Sequence, residues 1–175
     1  MFKTLSSKIV HKNPWYRVVR EEVLMPNNKK GDFFVYEDTG SSIIIPIKDG
    51  KVILEKQYRY PSNKWSAELP AGGVKKESNY LQSAKEELEE ETGYKAGSIK
   101  NIGWFNPSPG DSRRICQIFL AKDLKFVGQK LEDTENIKLM EVPIKKVYAM
   151  VREGKIFDGF TLSALAIARD LLLKK

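Results

Sequence analysis

With 175 residues, of which 41% are apolar and 30% charged, the chain holds about one domain's worth of core-forming material, and wholesale disorder is excluded. The single cysteine, Cys116, excludes an internal disulfide, fits a reducing cytoplasm, and reads as a small buried hydrophobe, since the single histidine, His11, lies far off in sequence. A net charge of +7 points to anionic partners, yet the acids crowd into one block, Glu86 to Glu91, while Lys and Arg are scattered.

In chain order, Trp15–Val23 and Phe33–Tyr36 are rich in β-branched and aromatic residues, and Pro26-Asn27-Asn28 and Gly31 supply turn chemistry between them. They predict a small antiparallel unit over residues 1–40. Ser42–Ile47 and Val52–Tyr58 are apolar runs joined by Lys48-Asp49-Gly50, a hairpin signal. Residues 78–92 carry Leu81, Ala84 and Leu88 at helical spacing, with Ser78 as the expected N-cap and Gly93 as the C-terminal stop. Strands are expected at Ile99–Phe105, Ile115–Ala121 and Ile137–Val142, a helix from Pro143 to Arg152, and a last helix over Thr161–Leu173. Strands interleaved with helices argue for a mixed sheet covered by helices in an α+β fold. Trp65 and Trp104 read as core or interface aromatics. No apolar run reaches the length of a membrane span and the N-terminus lacks signal-peptide order, so a cytoplasmic location without a membrane partner is expected.

The chemistry concentrates where a Pro/Gly loop, Glu68-Leu69-Pro70-Ala71-Gly72-Gly73, runs into the 78–92 helix. Glu87, Glu90 and Glu91 stand at i, i+3 and i+4, so their carboxylates share one face and could hold a hard divalent cation. Alone, an acid-rich run is more often a solvated helix face. The glycines upstream permit close backbone approach to a phosphate or metal.

Taken together, Gly72 and the later run Glu87-Leu88-x-Glu90-Glu91-x-Gly93-Tyr94 resemble the Nudix box, a loop–helix–loop that begins at a Gly. Gln57-Tyr58-Arg59, Trp65 to Gly73, Asn106-Pro107-Ser108-Pro109-Gly110 and Glu132 to Ile137 are similar to the ADP-ribose pyrophosphatase and nucleoside diphosphate sugar hydrolase branch, and the resemblance runs over about residues 5–173. It implies a Nudix α/β/α sandwich with a mixed sheet over residues 41–175. The N-terminal β unit, residues 1–40, would be exchanged across a homodimer. Glu87, Glu91 and Glu135 would be metal ligands, with Glu90 a further ligand or support and Ala71 contributing its carbonyl. Asp133 would take a proton from water, with Glu135 and Glu90 beside the chemistry. Arg59 would grip the diphosphate or terminal ribose, near Pro107 and Ser108. The implied cofactor is Mg²⁺, with Mn²⁺ as alternative, and the implied reaction cleaves a sugar nucleotide: ADP-ribose to AMP and ribose 5-phosphate, or a relative such as GDP-mannose.

Two box positions depart from the family. Ser78 stands where a Glu is expected, and Glu86 where an Arg is expected, so the family's ion pair between loop and helix loses both partners. Arg113 and Arg114 replace an acid common in this branch and could grip phosphate. These departures leave a binding-only sensor of nucleotide sugars as a competing reading. An RNA or dinucleotide polyphosphate hydrolase is a second, encouraged by basic charge but opposed by the absence of a basic stripe interleaved with aromatics, which argues against nucleic acid as partner.

Overall fold

The computed structural model describes residues 1–131 and 136–174. Its chain forms two compact units. The first comprises Met1–Gly40 together with Asn106–Ile115. Three antiparallel strands, β1 (Lys3–Lys12), β2 (Arg17–Leu24) and β3 (Lys30–Glu37), lie in the order β1-β2-β3. The β2–β3 turn uses Asn28 in the left-handed region, at φ 61°. Val19 faces Val35 across the pair, and both are buried with Val23, giving the sheet one packed face. Strand β1 is exposed at every residue. Its run scatters Leu5, Ile9 and Val10 among Lys and Ser without alternation, which is why only its partners are legible in the sequence. Residues 106–115 join this unit through the backbone: the Tyr36 N–H donates to the Asp111 carbonyl at 2.8 Å, and Arg113 N–H to the Tyr36 carbonyl at 3.3 Å.

The second unit, Ser41–Phe105 with Cys116–Lys175, begins with β4 (Ser41–Lys48) and β5 (Lys51–Arg59), joined by a turn in which Asp49 and Gly50 sit at φ 50° and 73°. Next come β6 (Lys64–Glu68), β7 (Ala71–Gly73), α1 (Tyr80–Thr92), β8 (Tyr94–Phe105), β9 (Cys116–Phe126), β10 (Lys138–Pro143), α2 (Ile144–Arg152) and α3 (Gly159–Leu173). The sheet order is β10-β5-β4-β9-β8, with β6 paired to β5 and β7 to β4. The β4–β9 pair is parallel, and β4 is accordingly apolar on both faces, with Ser41 to Pro46 all buried.

Side-chain alternation sorts the core into two layers. Ile43, Ile45, Val52, Leu54 and Ile118 meet α2 and α3 through residues such as Val147, Leu165 and Ala168. Ile44, Ile53 and Phe119 meet α1 through Ala84 and Leu88. One helix on one face and two on the other make the α/β/α sandwich. Several elements are longer than their apolar pattern. Strand β8 starts at Tyr94 and β9 runs to Phe126, because Tyr94 to Ser98 pair with Lys122 to Phe126, where lysines interrupt the apolar run. Asn79, not Ser78, caps α1: its side chain accepts the Gln82 N–H at 2.9 Å. Trp65 and Trp104 are exposed, not core.

Candidate active site on the first helix

Helix α1 is held between Asn79 at its start and Gly93 at its end, where φ is 70° and the Gly93 N–H reaches the Glu89 carbonyl at 2.9 Å. Ala84 and Leu88 anchor one side on the sheet, which turns the carboxylates of Glu87 and Glu91 toward the strand β7 and the loop behind it. Glu91 is 8% exposed and accepts the Ala71 N–H at 2.9 Å. Glu87 lies so close over Gly72 that a Cβ there would land on its carboxylate. Ser83 Oγ donates to the Gly73 carbonyl at 3.2 Å. Loop and helix are thus tied at successive turns, and the close approach is possible because residue 72 has no side chain.

The far end of the helix is tied as well. Gln129 Nε2 donates to the Glu91 carbonyl at 2.7 Å and the Lys130 N–H to that of Glu90 at 2.9 Å, so carbonyls of the last turn are satisfied. Lys130 and Lys95 both pair with Glu89, at 2.9 and 3.2 Å, and hold its carboxyl below the ordinary range. Glu90 has a more open setting, its side chain 42% exposed, with Lys75 Nζ 3.9 Å away.

The position that departs from the family's box also has a partner. Glu86 accepts from Gln82 Nε2 at 2.8 Å and from Lys75 Nζ at 3.4 Å, and these bonds hold its carboxyl below the usual value. Lys75 is raised above its ordinary value, first by Glu90 and then by Glu86 and Glu87. No sequence argument singled out Lys75. The available signal was an opposite charge on the loop, three residues beyond Gly72 and able to answer Glu86.

Arg59 ends β5 and forks onto Glu68 of β6, with Nε 3.0 Å from both carboxylate oxygens and Nη2 2.5 Å from one. Glu68 is 4% exposed at its side chain, Arg59 48%. The pair lines a cavity of about 310 Å³ with Phe157, Asp158 and Gly159. Truncating Arg59 would strand a buried carboxylate. Because the guanidinium is itself half exposed, the cost falls below the full buried-pair range: Arg59→Ala is expected to lower stability by about 2 kcal/mol in urea denaturation. A loss of under about 0.5 kcal/mol would mean that water reaches Glu68 once Arg59 is gone.

The remaining expected binding residues lie in the other unit. Pro107, Ser108 and Arg114 line a cavity of about 350 Å³ with Phe34 and Tyr36. Arg114 is 3.0 Å from Asp38. Arg113 divides its guanidinium between Glu21, at 2.8 Å, and Glu37, at 2.6 Å. As the chain lies, both arginines face carboxylates of their own unit, and gripping phosphate would cost those pairs. Asp133 and Glu135 lie outside the described residues. Among the described residues, no three His, Cys, Asp or Glu side chains converge closely enough to hold an ion as they stand. The donor set still fits a hard cation: Glu87 and Glu91 are oxygen donors one turn apart, pressed against a backbone that a Cβ at residue 72 would obstruct.

Residues 38–158 match the NUDIX domain. The chain belongs to the Nudix family. Residues 2–36 match the nucleoside diphosphate sugar hydrolase N-terminal domain. An ADP-ribose pyrophosphatase of Bacillus subtilis (strain 168) is 31% identical over 166 residues, covering 93% of this chain and 90% of the relative. A methanol dehydrogenase activator of Bacillus methanolicus is 28% identical over the same shares of both chains. A crystal structure described as an ADP compounds hydrolase superposes with a TM-score of 0.88, at 18% identity, over 98% of this chain and 94% of the other. The sandwich is therefore the Nudix fold, and this Nudix protein is a pyrophosphohydrolase, a hydrolase acting on phosphoric anhydrides. No helix among its described residues is long and apolar enough to cross a membrane.

Proposed function

We propose that this Nudix pyrophosphohydrolase cleaves the diphosphate of a nucleoside diphosphate sugar, with ADP-ribose, split into AMP and ribose 5-phosphate, as the first candidate and GDP-mannose as the next. The observation that carries the sugar-nucleotide reading is the N-terminal unit: residues 2–36 match the domain that precedes the catalytic part in sugar-nucleotide hydrolases, and they fold as a sheet of their own.

The site suits that chemistry. A diphosphate repels an incoming oxygen nucleophile, and a divalent metal, Mg²⁺ or Mn²⁺, neutralises that charge and makes bound water more acidic. Glu87 and Glu91 would hold it, with Glu90 and the Ala71 carbonyl beside them; Glu135 would complete the set. Asp133 would accept the proton of the water that attacks phosphorus, as the bond to the leaving phosphate breaks. Arg59, with Glu68 fixing its plane, would present its outer N–H groups to the diphosphate or the terminal ribose. Pro107, Ser108, Arg113 and Arg114 would act on the substrate from their own unit. The exposed β1, with Leu5, Ile9 and Val10 open to solvent and Phe2 just before it, supports pairing of two copies through the N-terminal unit.

The test is a panel of nucleoside diphosphate sugars, turnover being read as phosphate freed from the monoester products by a coupling phosphatase, run with Mg²⁺, with Mn²⁺ and with chelator, on protein whose mass in solution is read by light scattering. Cleavage of one or a few sugars as a dimer, abolished by chelator and regained on adding metal, is expected. Tight binding of ADP-ribose without turnover under every metal would overturn the reading in favour of a sensor.

A further inference from the structure

The departures at residues 78 and 86 remove the expected ion pair between loop and helix, yet the loop is not left untethered. Lys75 Nζ lies 3.4 Å from Glu86 and 3.9 Å from Glu90. The Ser78 N–H donates to the Lys75 carbonyl at 2.9 Å, closing a turn that begins at Lys75. Gln82, one turn earlier, donates to Glu86 and fixes its carboxylate for the contact. The anchor therefore has reversed polarity: the cation stands on the loop and the anion on the helix.

We propose that Lys75 is a positioning residue, a loop-borne cation that pairs with Glu86 and Glu90 and holds Ala71 and Gly72 in place against Glu91 and Glu87. This inference rests on the catalytic reading of those glutamates. The physical need is plain. Glu86, Glu87, Glu90 and Glu91 repel one another along one side of α1, and like charges at i, i+4 weaken a helix. A lysine reaching two of them offsets that repulsion and ties the loop with the same contact. An arginine at residue 86 would do the opposite here, since it would set a second cation beside Lys75.

The test is a charge-swap cycle of Lys75→Glu, Glu86→Lys and the double variant, with Lys75→Arg as the conservative control. Two readouts are taken. The first, hydrogen exchange of the backbone amides of residues 71–79 in metal-free protein at low ionic strength, does not depend on turnover. Each single swap is expected to speed exchange about three- to fivefold, as for an exposed pair at the strong end of its range. Lys75→Arg should keep the wild-type rate, the double swap should recover most of it, since a carboxylate at residue 75 still faces Glu90, and salt should shrink the differences. The second is kinetics: the single swaps should raise the metal concentration for half-maximal rate more than they change KM for substrate, and the double swap should restore it. Unchanged exchange in Lys75→Glu, or a double swap no better than the worse single, would overturn the proposal. If wild-type protein proves inactive on every substrate, the exchange readout still decides whether Lys75 anchors the loop.

Discussion

Replacing Glu91 by Gln is expected to cut turnover about a thousandfold while leaving the melting temperature nearly unchanged. The two effects separate because Glu91, on the proposed reading, would have two tasks. Its carboxylate accepts the Ala71 N–H at 2.9 Å, and a glutamine carbonyl oxygen of the same length can accept that bond as well. The tie between loop and helix, and the 8% exposed setting around it, should therefore survive. What disappears is the negative charge. A ligand that helps a metal stabilise transition-state charge is worth several kcal/mol, and about 1.4 kcal/mol corresponds to each decade of rate. Glu91→Ala should lose the same activity and also destabilise the fold, because the Ala71 N–H is left without its acceptor. Turnover of Glu91→Gln within tenfold of wild type would show that Glu91 serves the loop alone, and attention would move to Glu87.

The site is legible in the sequence to the extent that chemistry is carried by spacing. Glu87, Glu90 and Glu91 share a helix face because 3.6 residues make a turn, and Gly93 stops that helix where the pattern ends. The sandwich follows from alternation, as in Ile43-Ile44-Ile45, whose neighbours point to opposite helix layers. What spacing does not carry is contact made across the chain. Lys75 and Glu86 are eleven residues apart and meet only because the loop folds back on α1. The pairing of residues 106–115 with β3 is a backbone bond at long range, so the N-terminal unit gains a segment that no local pattern announces. Strand β1 is invisible for a different reason: Leu5, Ile9 and Val10 are scattered among its Lys and Ser residues and leave no period of two in the sequence. Arg113 reads as a cation open to phosphate until the fold brings Glu21 and Glu37 to it.

Glycine at residue 72 gives the second large effect. A Cβ there would fall on the Glu87 carboxylate, well inside van der Waals contact, and the three atoms nearest to it all belong to that side chain. The obstacle is the far end of a flexible side chain, so Gly72→Ala should be relieved by swinging Glu87 away, not by breaking the strand pairing of Ser42 with Gly72. Residue 72 does not sit at positive φ, and alanine adds no backbone strain. The expected result is a loss of about a hundredfold or more in turnover with a change in stability within about 0.5 kcal/mol, the ordinary range for a substitution that creates no cavity and strands no polar group. Glu87→Gln in the same background should add little, because a carboxylate already displaced has no charge left to contribute at the site, and such non-additivity marks residues that act as one unit. If Gly72→Ala unfolds the protein, the loop and not the side chain has yielded. If it keeps full activity, Glu87 does not work over residue 72, and the proposed metal-binding face of α1 would have to be redrawn around Glu90 and Glu91.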